Sequence, residues 1–131
     1  MNRFPALLGQ KRNSMVWLAV AILLTSLLSC SSPSIEMQIQ NSTSAELLEV
    51  EITNHNNEFS TGKFSLTPGE KLTKRLDFSE ASVMDGSYIL SIGSDKKRSF
   101  GYYTNGTPLE KGYHLEIRSD TIIINSFEQK D

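Results

Sequence analysis

Few residues in this chain have the types and spacing that chemistry needs. Glu49 and Glu51 stand two apart in LLEVEITN, on one face of a strand, as the paired carboxylates of a glycosidase might. Acidic residues on the outward face of a half-buried strand are ordinary, and no further feature singles these out. His55 lies in the loop from Asn54 to Glu58, while His114 alternates with Tyr113 and Leu115 and so points away from the apolar face. Two histidines with no cysteine partner and no spaced carboxylates do not make a zinc set. Serines and threonines are abundant, but no Gly-x-Ser-x-Gly elbow occurs. Asp85-Gly86 lacks the Asp-x-Asp spacing of a calcium loop. Asn41-Ser42-Thr43 and Asn105-Gly106-Thr107 match the glycosylation sequon and read as turns. We expect no catalytic residue, no metal and no cofactor. That leaves Cys30, the sole cysteine, which cannot form an internal disulfide and needs its own explanation.

The explanation comes from what precedes it. Arg3, Lys11 and Arg12 stand ahead of an uncharged run, Met15 to Leu28, and no acidic residue occurs before Glu36. That charge order is the one found in signal peptides. The run's 14 residues suit the apolar region of such a leader and fall short of the roughly 18 that span a bilayer. Ser29, Ser31, Ser32 and Pro33 extend it only with polar or helix-breaking residues.

Leu27-Leu28-Ser29-Cys30, at the end of the run, resembles the lipobox of bacterial lipoproteins. The resemblance covers this processing segment alone. It implies cleavage between Ser29 and Cys30, diacylglycerol on the Cys30 sulfur, and usually acylation of the new terminal amine. More than one acyl chain fits the physics of anchoring, since a single chain holds a protein to a membrane only marginally. In the sorting of such lipoproteins, a residue other than aspartate after the cysteine implies the outer membrane, facing the periplasm where the cell is Gram-negative. Ser31 fits that pattern.

The expected organisation is a signal peptide over 1–29, the lipidated Cys30 with a short linker over 30–34, and one folded domain over 35–131. The linker is polar and broken by Pro33. Four residues reach about 14 Å at most, so the domain is held close to the bilayer. Removal of the leader takes three of 13 basic residues and none of 15 acidic ones, leaving a formal charge of −5. An acidic body whose one basic cluster is Lys96-Lys97-Arg98, read as a solvated strand end, argues against nucleic acid.

From Ile35 onward the apolar period is two. Ile35, Met37 and Ile39 alternate with Glu36, Gln38 and Gln40, and Leu48, Val50 and Ile52 with Glu49, Glu51 and Thr53. Further strands are expected over Lys63 to Leu66, Lys71 to Phe78 and Ser87 to Ile92, with one helical turn over Ser79 to Met84. Pro68-Gly69 has the order of a type II turn, and Asn105-Gly106 is a strong hairpin dipeptide. A two-residue turn there pairs Tyr102 with Leu109 and gathers Phe100 and Tyr102 on one face with Tyr113, Leu115 and Ile117. Around Ser119-Asp120 the same reasoning sets Ile117 opposite Ile122 and Leu115 opposite Ile124. Lys96 to Ser126 is thus expected as a three-stranded antiparallel meander.

The fold expected is all-β: a small antiparallel β-sandwich of seven or eight strands, immunoglobulin-like or transthyretin-like, with a small barrel as the alternative. A standard antibody-type domain is excluded, because Trp17 lies in the leader and no cysteine pair exists. The function expected is a non-enzymatic interaction or structural module of the cell envelope, held to the membrane through Cys30 and partnered by an envelope or secretion-assembly protein. Tyr103, Asn105 and Gly106 are its candidate contact, with Tyr103 an exposed aromatic near the turn. The alternative is a periplasmic lipoprotein that binds a ligand or acts as an enzyme, through a pocket at one end of the sandwich.

Overall fold

A computed structural model describes residues 32–128. The expected signal peptide, the expected cleavage site between Ser29 and Cys30, and Ser31 lie outside the described residues. Among the described residues there is no helix. Nine strands follow in order: β1 Ser34–Asn41, β2 Leu47–Asn54, β3 Phe64–Leu66, β4 Lys71–Asp77, β5 Gly86–Ile92, β6 Lys96–Thr104, β7 Thr107–Pro108, β8 Gly112–Ile117 and β9 Ile122–Phe127. They form a four-stranded sheet ordered β4-β1-β8-β9 and a five-stranded sheet ordered β3-β2-β5-β6-β7. The protein is a small all-β sandwich, with more strands than expected and with one parallel pair, β1 beside β8.

Alternation decides which faces meet. In β1 every second residue, Ile35, Met37, Ile39 and Asn41, is buried, and Glu36, Gln38 and Gln40 face outward. Cross-strand partners share a face, so β4 contributes Leu72, Lys74 and Leu76 to the same side and β8 contributes Tyr113, Leu115 and Ile117. Val50, Ile52, Tyr88 and Leu90 from the second sheet join them in one apolar cluster. Each such aliphatic side chain removed from water contributes about 1.5–3 kcal/mol. Lys74 sits at the margin, its ammonium 5.1 Å from the centre of the Phe64 ring.

Local geometry confirms several turns. Gly69 has φ +80°, as the third position of a type II turn requires, and Glu70 N–H donates to Thr67 C=O at 3.0 Å. Asn105 and Gly106 have φ +51° and +66°, both central positions of a type I′ turn. The resulting pairs, Thr104 with Thr107 and Tyr103 with Pro108, have the register expected of the tight turn. Ile117 faces Ile122 and Leu115 faces Ile124, also as expected.

Four expectations are corrected. The three-stranded meander does not form: the β6–β7 ladder ends at Pro108, which has no N–H to continue it, and β8 crosses to the other sheet. Tyr102 and Leu109 therefore never pair and both are exposed. Ser79 to Met84 has turns and bends but no helical turn. The alternation also slips twice. Between its pairs with Leu66 and Phe64, β2 carries one extra residue, and Glu49 takes φ +50°; Leu48 is turned outward while Leu47 packs on the core.

The second slip is in β6. Three steps on β6 oppose two on β5 between the pairs Tyr88–Phe100 and Gly86–Tyr103, and Gly101 takes φ +58°. A side chain at Gly101 would meet the Tyr113 ring at 2.7 Å and the Tyr88 ring at 2.9 Å, so glycine serves both the backbone conformation and the packing. One extra residue exchanges the two tyrosines. Tyr102 is 47% exposed and Tyr103 only 1%.

Candidate functional site

The described residues offer two surfaces, at opposite ends of the strands. The first surrounds the start of β1. Pro33 C=O accepts from Phe78 N–H at 2.9 Å, and Glu36 N–H donates to Lys111 C=O at 3.2 Å, so the chain enters between the end of β4 and the start of β8. The loop from Ser79 to Asp85 lies at this end, against the Asn105-Gly106 turn: Gly106 N–H donates to Met84 C=O at 2.9 Å. Asp85 Oδ1 accepts from Thr104 Oγ1 at 2.7 Å and from Asn105 N–H at 2.9 Å, and those two bonds, in that order, hold its carboxyl below the usual range. The Tyr102 phenol is pushed up by partial desolvation and then by the negative charge of Asp85.

Beneath this surface is a polar knot. Asn54, fully buried, donates from Nδ2 to Tyr103 Oη at 3.0 Å and to Glu58 Oε2 at 3.3 Å, and its Oδ1 accepts from Glu58 N–H at 2.7 Å. Ser82 Oγ donates to the other oxygen of Glu58. The knot joins β2, two loops and β6. Around it Phe59, Phe78, Tyr88 and Tyr103 pack ring to ring, with centroids 4.5–6.3 Å apart. Phe100 and Tyr113 continue the stack across the two sheets.

The proposed contact residues thus divide. Tyr103 is a correction: the extra residue at Gly101 turns it inward, where it is a core side chain bonded to Asn54. Gly106 is buried beneath the backbone of Ser82 and Met84, and Asn105 is exposed on the turn. Val83, Met84 and Leu109, 79%, 53% and 58% exposed, are the apolar side chains this end presents. None was singled out from sequence. Val83 and Met84 fall where a helical turn was expected, and Leu109 was assigned to a strand pair that does not form.

The second surface is a cleft of about 370 Å³ at the other end, where the β1–β2 connection, the β5–β6 hairpin and the β8–β9 hairpin converge. Leu47, Leu90, Ile92, Ile117 and Ile122 give it apolar walls. Its rim holds Lys96, Lys97, Arg98 and Arg118 against Asp95 and Asp120. Lys96 pairs with Ile92 and Arg98 with Leu90, which puts both cations on the inward side of their sheet, beside the apolar wall. Arg118 is already engaged, donating to both oxygens of Glu116 at 2.9 and 3.2 Å. Bonding to Arg118 is the largest influence that lowers the Glu116 carboxyl. Lys96-Lys97-Arg98, which reads from sequence as a solvated strand end, lines this cleft. What it could not show was which of the three cations turn inward.

The remaining sequence candidates stay apart. His55 is exposed in its loop, and His114 lies on the outer face of β8 opposite Asn125. Glu49 pairs with Lys63 at 3.3 Å, while Glu51 accepts from Ser60 Oγ at 2.6 Å. Among the described residues, no three His, Cys, Asp or Glu side chains converge to hold a metal. No model of a known protein family matches the chain, and no curated protein matches it either.

Proposed function

We propose that this chain is an exported lipoprotein of the cell envelope, cleaved between Ser29 and Cys30 and held to the membrane by lipid on Cys30, whose sandwich is a non-enzymatic interaction module of an envelope or secretion assembly. The carrying observation is the lipobox-like Leu27-Leu28-Ser29-Cys30 only a few residues ahead of β1, a spacing that restricts the module to partners near the bilayer. An open edge supports the interaction role. β9 has six residues with no charge and no proline, and among the described residues it pairs with β8 alone. Such an edge is a template for strand addition that proteins ordinarily blunt with lysine or proline. Where the cell has two membranes, Ser31 directs the protein to the outer one.

The cleft favours a second reading, a lipoprotein that binds a small ligand. Its volume falls within the roughly 300–1,000 Å³ of ligand sites, and polar groups converge on an apolar wall.

The test is processing in a bacterial cell. Wild-type protein is expected to lose its leader and partition into detergent, and Cys30→Ser to persist as an uncleaved precursor. Trimming of Cys30→Ser to the mature size would mean ordinary signal cleavage and would remove the anchor from the proposal.

A further inference from the structure

We infer that the end of the sandwich carrying Val83, Met84 and Leu109 rests on the bilayer, contacting neutral lipid through these side chains. The inference builds on the lipid-anchor proposal. Pro33 follows Cys30 by three positions, and Pro33 is fixed to Phe78 at this end. The link reaches about 11 Å at most, while the polar layer of a leaflet is about 5–8 Å thick. Acyl chains on Cys30 therefore draw this end to the headgroups. The cleft lies farther out by the length of a strand, roughly 27 Å for eight residues.

What the end presents fits that position. Val83 and Met84 stand on a loop whose backbone is held in place, by Gly106 N–H to Met84 C=O, by Met84 N–H to Ser82 C=O at 2.8 Å and by the Asp85 carboxylate bonds to Thr104 and Asn105. Leu109 follows β7, two residues before the Lys111 carbonyl that receives Glu36 N–H. Exposed apolar side chains on fixed backbone lose little entropy when they enter a membrane interface. Tyr102, beside them and half exposed, has the amphipathic ring that interfaces favour. The charges specify the lipid. Among the described residues, Asp77, Glu80, Asp85 and Glu110 surround this end with Lys111 and, two residues in from the end of β4, Arg75, whereas Lys96, Lys97, Arg98 and Arg118 are at the other. Attraction to anionic headgroups is therefore not the driving term, and anionic lipid opposes the contact.

The chain's single tryptophan, Trp17, precedes Cys30, so the processed protein is free of tryptophan and one can be introduced as a probe. Met84→Trp, Leu109→Trp and Lys97→Trp proteins, expressed full-length, processed by the cell and purified from membranes, are reconstituted in phosphatidylcholine vesicles with bromine on the acyl chains. Emission from Met84→Trp and Leu109→Trp is expected to shift to the blue and lose at least half its intensity, with Lys97→Trp unchanged. Replacing part of the phosphatidylcholine by phosphatidylglycerol is expected to lessen the quenching. Mass spectrometry of the terminal peptide reports acylation of Cys30 separately. Acylated protein in which Met84→Trp and Leu109→Trp are quenched no more than Lys97→Trp would overturn the inference and leave the anchor standing. An unmodified Cys30 would overturn both, and stronger quenching on anionic vesicles would overturn the neutral-lipid contact.

Discussion

Each end of the sandwich buries one asparagine, yet the two are built differently. Asn54 bonds to side chains, Tyr103 and Glu58, and through Glu58 reaches Ser82, so it ties together segments distant in sequence. Asn41 bonds mainly to backbone, donating to Ala45 C=O at 2.8 Å and Leu66 C=O at 2.9 Å and accepting from Thr43 N–H at 2.9 Å, so it fixes one turn and one short strand. Six aromatic rings fill the first end. Aliphatic side chains line the second and leave a cleft open between hairpins. Rings bury more area per residue than aliphatic side chains. An end packed with them is a part of the core, whereas an end walled by isoleucine and rimmed by charge can remain concave.

Truncation should separate the ends most. Tyr103→Ala is expected to cost about 3–5 kcal/mol, by loss of ring packing and of a buried bond. Ile122→Ala, on the wall of the cleft and partly exposed, is expected to cost about 1 kcal/mol, because no closed cavity results. Urea unfolding of both measures the contrast, and equal losses would erase it. A finer comparison lies within the aromatic end. The Tyr88 hydroxyl is buried with no hydrogen-bond partner among the described residues, and burial drives its ionisation well above the phenolic range. Tyr88→Phe is expected to be neutral or to stabilise by up to about 1 kcal/mol, whereas Tyr103→Phe, which deprives Asn54 of a partner, is expected to cost about 1 kcal/mol. The same sign for both would mean that the two hydroxyls have similar surroundings.

The smallest effect is that of pH. Asp85 at one end and Glu116 at the other are each held below their ordinary values, 3.8 and 4.5, by hydrogen bonds. A carboxyl depressed on folding adds stability above its unfolded pKa and loses it as pH falls through the folded one. Thermal melting is therefore expected to show small deficits for Asp85→Asn and Glu116→Gln at neutral pH that close below the ordinary carboxylate range. Asp85 is exposed and Glu116 partly so, and salt is therefore expected to shrink the deficits. A deficit that grew on acidification would reverse the sign of the coupling.

Much of this fold was legible because its strands alternate strictly. β1, the hairpin from β8 to β9 and the Asn105-Gly106 turn carry their register in residue types alone. What failed did so at single residues. Glu49 takes a backbone conformation that its side chain does not announce, and Gly101 sits between Phe100 and Tyr102 within an otherwise regular strand, so parity counting passes through both and turns Leu48 inward and Tyr103 outward. Assignment of strands to sheets failed for another reason. Period two fixes a strand's faces but not its neighbours, and the parallel β1–β8 pair joins segments that no turn connects. The cleft inherits that limit, since its walls come from connections that only the sheet order brings together. The lipobox-like segment is an expectation from residue types alone and lies outside the described residues.

The β1–β8 pair also has a bearing on time. Each partner on β1 finds its match 76 residues later, so the middle of the first sheet cannot zip until nearly the whole chain has been synthesised. Of the two neighbours of β1 in its sheet, β4 alone is synthesised before β8. Contacts so distant in sequence form slowly, since the intervening loop must close before they reward it. For the exported chain we propose, late closure is an asset. A central sheet that waits for β8 would leave time for the proposed leader to be recognised before folding is complete.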